Sequence, residues 1–366
     1  MAARRCASSA LRSLLRAARA PRCRAQCHHA ARCSSSLAPP PLYTPVVCFY
    51  ADWAEVPLPP GHRFPMHKYL TTRLKLEEDP SLAGRLDLRP SPRVHLDDLL
   101  RVHTAEYVSN VLTGKLSAEE QRVLGFPWSI QHVTRSLAST GGTVAAMHLV
   151  MRGAAEPPPP GVAREAAQAH RTAMQLAGGT HHAFRGHGEG FCCFNDIAVA
   201  AEAAIHAYGA DAVPILVIDL DVHQGNGTAK IFEGRSDVIT FSMHGANNYP
   251  WRSKMRSTYD VDLPDDTDDA TYLALLDEWL PRLFATHAPK LVFYQAGVDA
   301  LKGDKMGRLA MTRAGLARRN HAVFSACLAA GVPCVTVMGG GYAPDEASID
   351  AHADVFRAAA LRFSVP

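Results

Sequence analysis

Four short stretches hold residues of the types that bind metals or move protons. Gly178-Gly179-Thr180-His181-His182 sets two adjacent histidines behind a glycine pair. Ile218-Asp219-Leu220-Asp221-Val222-His223 places two acids and a histidine at two-residue spacing, directly after the apolar run Val213 to Val217. Side chains two apart on an extended chain share a face, so Asp219, Asp221 and His223 are expected to project together. An Asp with a His two residues on is either a pair of metal ligands or a polar cap on a turn. The apolar run before it favours the metal, because an acid at the end of a buried strand is costly unless it is paired or binds a cation. Leu291 to Asp299 is a second apolar run ending in a carboxylate. Asp299 could complete a site with Asp221 and His223, since three protein ligands plus water form the open arrangement of a catalytic metal. The fourth stretch is Val337-Met338-Gly339-Gly340-Gly341-Tyr342. Its glycines let the backbone approach a ligand and set Tyr342 over it; a tight turn before a packed tyrosine is the alternative.

These residues follow segments that read as strands, which is where open parallel sheets place their ligand sites. Candidate strands are Val46 to Tyr50, Val213 to Asp219, Val238 to Met243, Leu291 to Gln295 and Pro333 to Met338. Most are continuously apolar, as in strands covered on both faces. Residues 129 to 152, 162 to 177, 194 to 208, 268 to 286, 312 to 329 and 346 to 362 have helical composition, and Ser117 with Glu120 forms a capping-box pattern. Pro157 to Pro160 reads as a surface loop. The expected architecture is α/β, three layers α/β/α around a mostly parallel sheet.

At 366 residues the chain has room for two domains or one large unit, and no second boundary is evident in the body. Residues 1 to 36 hold eight of the 38 basic residues and none of the 35 acids; the first acid is Asp52, and the remainder carries a formal charge of −5. A nucleic-acid surface is not supported by that balance. No apolar run approaches the ~18 residues of a transmembrane helix. In the leader, Leu11, Leu14, Leu15 and Ala18 share one helical face and Arg12, Arg16 and Arg19 the other, the pattern of an organelle transit peptide, mitochondrial in preference to chloroplast. Nucleus or cytoplasm is expected if the leader is unused. Cys23, Cys27, His28, His29 and Cys33 lack the second ligand pair a zinc module needs. Outside the leader, Cys48, Cys192, Cys193, Cys327 and Cys334 show no paired framework and fit a reducing compartment.

On His181-His182, Gly190-Phe191-Cys192, Asn195-Asp196, Asp219-x-Asp221-x-His223, Asp299 and the Gly-Gly-Gly-Tyr ending at Tyr342, taken in this order, residues 45 to 362 resemble the zinc-dependent histone deacetylase family of the arginase/deacetylase fold. Gly61-His62-Arg63-Phe64-Pro65-Met66 and Gly307-Arg308-Leu309-Ala310-Met311-Thr312 are similar to class IV and bacterial-type members. The resemblance implies one Zn²⁺ held by Asp221, His223 and Asp299. It also implies His181, His182 and Tyr342 around the bound water, with Asp219 orienting His181 and Asn226 behind His182. It further implies an acyl-lysine tunnel between Gly190-Phe191 and Tyr249, and a K⁺ site at Asp219 and Ser242. His182 is the expected base and Tyr342 the oxyanion donor.

Two departures bear on substrate. Ala105 and Glu106 stand where class I members often carry an Asp that grips the substrate backbone, and the loop Gly245 to Lys254 is short. Acylated lysine proteins and small acylated amines are therefore both expected partners, and oligomeric state is not read from the sequence. Ureohydrolases of the same fold carry a second Asp where Gly225 stands, so one metal is expected. A non-catalytic acyl-lysine binder is the remaining alternative.

Overall fold

The computed structural model describes residues 43–155 and 171–364. The leader with its cysteines and histidines, the Pro157 to Pro160 loop and the first part of the 162 to 177 segment lie outside the described residues. Eight strands form one sheet: β1 Val46–Tyr50, β2 Leu86–Pro90, β3 Thr172–Leu176, β4 Ile215–Asp219, β5 Val238–Gly245, β6 Tyr259–Leu263, β7 Leu291–Gln295 and β8 Cys334–Val337. Their order is β2-β1-β3-β8-β7-β4-β5-β6, and every pairing is parallel. The sheet is thus fully parallel rather than mostly so.

Residues 172–176 correct the sequence reading. Thr172–Leu176 was expected to continue a helix, yet it is the fully buried strand β3, hydrogen-bonded between β1 and β8. Ala, Met, Gln and Leu are good helix formers, but a place at the centre of the sheet outweighs that preference. The edge strands β2 and β6 have no counterpart in the sequence reading. Both alternate: Leu86 and Leu88 pack on the core between Asp87 and Arg89, and Tyr259 and Val261 between Asp260 and Asp262. Charge of this kind on an edge discourages further strand pairing.

Helices cover the sheet on both faces, completing the three layers. Ile130–Ala155 packs on β1, β3 and β8 and against Asp196–Tyr208, which also meets Leu96–Val102. A second group joins Lys68–Glu77, Asp269–His287, Arg313–Ala330 and Asp345–Phe363 over a core that includes Cys48, Met174, Ile218, Tyr294 and Phe324. The Ser117–Glu120 capping box opens Ala118–Leu124, with both reciprocal bonds made.

Register sets the level of the site. Asp219 stands opposite Gln295, Gln295 opposite Val337, and Val337 opposite Gln175. The segments after β3, β8, β7 and β4 therefore leave four adjacent strands at one height.

Candidate metal centre and its cleft

Strand β4 ends at Asp219, so the extended geometry does not persist to His223 and the three side chains do not share a face. Asp219 turns to His181, its Oδ2 2.7 Å from Nδ1. Asp221 and His223 turn instead to Asp299, at the end of the segment after β7. Ligand atoms of Asp221, His223 and Asp299 lie within 4.8 Å of one another, all buried. Nδ1 of His223 is 2.9 Å from Asp221 Oδ1 and 3.0 Å from Asp299 Oδ2. The second approach lacks hydrogen-bond alignment, leaving Asp299 Oδ2 buried without a partner.

The outer lone pairs are engaged by backbone. Gly340 N donates to Asp221 Oδ2 at 2.8 Å, and Val222 N to Asp299 Oδ1 at 2.9 Å. A Cβ on Gly297 would stand 2.1 Å from Asp221 Oδ2, and one on Gly340 2.0 Å from Asp299 Oδ2. The glycines thus bring the main chain against the acids. Burial and the neighbouring Asp221 push Asp299 up to about 7. Two buried carboxylates and an imidazole converging with an unpartnered oxygen form the hard and borderline donor set of a divalent cation such as zinc. The residues fit the metal. Gly225 stands against the Asp219–His181 pair, where a Cβ would meet Asp219 Oδ2 at 2.4 Å, so a second acid at this position has no room.

The histidine pair hangs on a clamped loop. Gly178 and Gly179 take positive φ of 75° and 73°. Asp196, at the start of its helix, accepts from Gly179 N at 3.1 Å, Thr180 N at 2.8 Å and Thr143 Oγ1 at 2.7 Å. Beyond this clamp the two rings differ. Burial disfavours the charged form of His181, but Asp219 and Asp221 outweigh it and lift His181 to about 9. His182 is held well below the ordinary histidine range by burial, then by its neighbours His181 and His223. Its Nδ1 lies 2.8 Å from Asn226 Oδ1, an acceptor, so Nδ1 carries the proton and Nε2 keeps its lone pair.

Asn226 is itself oriented. Its Nδ2 donates to Glu189 Oε1 at 2.7 Å, and the Tyr249 hydroxyl donates to the same oxygen at 2.9 Å. Glu189 escaped the sequence reading, although it immediately precedes the Gly190-Phe191 motif. Gly190 at φ 56° presses on the ring of His182, where a Cβ would meet Cδ2 at 2.7 Å.

Above the centre opens a cleft of about 670 Å³ whose walls include His182, His223, Gly190, Phe191, Tyr249 and Tyr342. The Tyr342 ring is 6.3 Å from that of His223, and burial, followed by Asp299 and Asp221, holds its hydroxyl protonated. Lys68, also missed, donates to the carbonyls of Gly339 at 3.2 Å and Gly341 at 3.4 Å and lies 5.1 Å from the Tyr342 ring centre. It ties down the glycine loop. Ser242 stands beside Asp219 in register, its hydroxyl 3.0 Å from His244 Nδ1.

Fold and donor set together place a candidate metal-binding triad above the ends of a parallel sheet. The histone deacetylase domain matches residues 62–358, and the chain belongs to this family. It is 42% identical over 299 residues to an uncharacterized protein of Picosynechococcus sp., covering 81% of this chain and 92% of that one. To the histone deacetylase-like amidohydrolase of Pseudomonas aeruginosa it is 32% identical over 272 residues, covering 70% and 66%. To histone deacetylase 2 of Arabidopsis thaliana it is 33% identical over 179 residues, 48% of this chain and 46% of that protein. The chain thus spans about half the length of that plant relative. The crystal structure of the HDA15 HD domain superposes with a TM-score of 0.66 at 23% identity, over 86% of this chain and 88% of that one, a likeness of fold. The chain is a histone deacetylase-family hydrolase.

Proposed function

We propose that the protein removes acetyl or longer acyl groups from lysine side chains, with one zinc ion held by Asp221, His223 and Asp299. The orphaned Asp299 Oδ2 beneath a cleft walled by His182 and Tyr342 carries this reading. When bound, the zinc supplies Lewis acidity, polarising the acyl carbonyl and acidifying a water. Nε2 of neutral His182 accepts the proton as the water attacks. The Tyr342 hydroxyl donates to the oxygen that gains charge. His181, protonated beside Asp219, stabilises that charge, and a proton held on the histidine pair passes to the leaving amine. Phe191 and Tyr249 flank the acyl-bearing stem, and Gly190 leaves room for it.

Deacylation of small acylated amines is the second reading. It is favoured by the likeness to an amidohydrolase and to the acetoin utilization protein AcuC of Bacillus subtilis, 31% identical over 236 residues. Acyl-lysine binding without turnover is disfavoured by a base and a hydroxyl donor beside the donor set. A secondary K⁺ site at Asp219 and Ser242 is proposed on the family resemblance alone. Within the family we assign the chain to the class IV and bacterial-type branch on its Gly61 to Met66 and Gly307 to Thr312 motifs, and to mitochondria in preference to chloroplasts on its basic leader. The test is a screen of the zinc-loaded full chain against acetyl- and long-chain acyl-lysine peptides and N-acetylated amines, reading free amine. Absence of amine from every substrate, with one zinc per chain, would overturn the proposal.

A further inference from the structure

The mouth of the cleft carries one sign of charge. Arg63, Arg122, Lys305 and Arg308 line it, and no Asp or Glu does so. All four are exposed. The body of the chain is acidic, at −5 outside the leader, so the mouth opposes the average of the molecule. Two of the cations have acidic neighbours at the surface: Arg122 lies 3.4 Å from Glu119, and Arg308 3.3 Å from Asp265. Solvent-exposed pairs of this kind contribute little and rearrange readily. Arg63 and Lys305 have no acidic partner among the described residues. The cations come from three separate segments: Arg63 before Lys68–Glu77, Arg122 inside Ala118–Leu124, and Lys305 with Arg308 after Asp299. All four line the same cleft as Phe191 and Tyr249.

We propose that this rim selects acylated amines whose flanking groups carry carboxylates, above all acyl-lysine set among Asp and Glu, over acyl-lysine set among Lys and Arg and over cationic acylamines. The proposal rests on the deacylase reading and narrows its substrate. A cleft lined by one sign of charge raises the local concentration of the opposite sign and repels its own. Rim charges act chiefly on association and are screened by salt. The basic surroundings of a lysine-rich tail, or the free ammonium of an acetylated diamine, would meet four cations at the opening. An acidic segment would be drawn in.

The experiment uses the zinc-loaded full chain and three fluorescent peptides with one acetyl-lysine flanked by two Asp, two Ala or two Lys on each side. Binding is read by anisotropy and turnover by kcat/KM, at low and at high salt. Two small amides of equal chain length, 6-acetamidohexanoate and N-acetylcadaverine, distinguish a small acid from a peptide as the source of the carboxylate. At low salt the Asp peptide is expected to bind and react ~10-fold better than the Lys peptide, a ratio that shrinks as salt rises. Arg63→Gln with Lys305→Gln should abolish most of the ratio and Arg63→Glu with Lys305→Glu should reverse it, with zinc content and thermal melting reporting the fold. Equal binding of the Asp and Lys peptides at low salt, or a preference for Lys, overturns the proposal. Absence of turnover of the Ala peptide would count against the deacylase reading, and the anisotropy ranking would still decide the rim.

Discussion

Replacing Asn226 by Asp exchanges a neutral acceptor for an anion at 2.8 Å from His182 Nδ1. An anion ~4 Å from the charge on the ring is worth ~4 kcal/mol at an effective dielectric of ~20. At ~1.4 kcal/mol per unit, that would raise His182 by ~3 units. Glu189 opposes the change, because its Oε1 lies 2.7 Å from the atom that becomes the second carboxylate oxygen. Two carboxylates at that distance raise the pKa of one of the pair, so in acid a shared proton offsets part of the new charge. The single variant should therefore shift His182 by only ~1 unit, and Asn226→Asp combined with Glu189→Gln by ~2 to 3 units. The sign follows from the base. In the native chain burial, followed by the neighbouring His181 and His223, holds His182 well below the ordinary histidine range, so the ring is neutral into acid. A raised pKa leaves Nε2 protonated at higher pH, so the acid limb of kcat/KM moves up and activity falls most at the acid end. Profiles of kcat/KM against pH for the native chain, both single variants and the double variant check this. An unshifted limb with normal activity in the double variant would falsify His182 as the titrating base; a loss equal at every pH would show disturbed geometry or metal.

Tyr342→Phe should keep zinc and fold while lowering kcat by ~10² to 10³, as loss of an oxyanion donor does; a near-normal kcat in steady-state assays would return Tyr342 to a packing role. Gly340→Ala sets a methyl 2.0 Å from Asp299 Oδ2 and 2.8 Å from Asp221 Oδ2, so zinc measured by elemental analysis should fall well below one per chain while circular dichroism stays native; stoichiometric zinc would contradict the geometry. Deleting residues 1 to 36 should abolish mitochondrial import and spare deacylation, because the basic leader is compositionally separate from the body; unchanged import of the shortened chain would refute the leader's role.

The strands that carry the site were legible as continuous apolar runs. Leu291–Gln295 falls where that pattern puts it, and β4 and β8 lie within a residue or two. Thr172–Leu176 was not legible, since its residues suit a helix and only its neighbours β1 and β8 make it a strand. The charged residues alternating through β2 and β6 hid those edges. Asp221, His223 and Asp299, which converge as a candidate donor set, stood out in the sequence because they follow the apolar strands β4 and β7. The separate turn of Asp219 to His181 did not, because it depends on β4 stopping at Asp219. Lys68 and Glu189 were beyond reach for a related reason. Lys68 acts on Gly339, 271 residues away, and Glu189 on Asn226, 37 residues away, and neither sits in a spacing that announces its partner.

The most direct test of the metal-centred account is acetate release from an acetyl-lysine peptide by the zinc-loaded full chain, measured beside Asp299→Ala with zinc content determined on the same samples. The expected result is equimolar acetate and free lysine from the native chain carrying one zinc, with acetate and zinc lost together in the variant, since the proposal assigns Asp299 as one of three protein ligands. A variant that keeps one zinc and releases acetate at the native rate would contradict it.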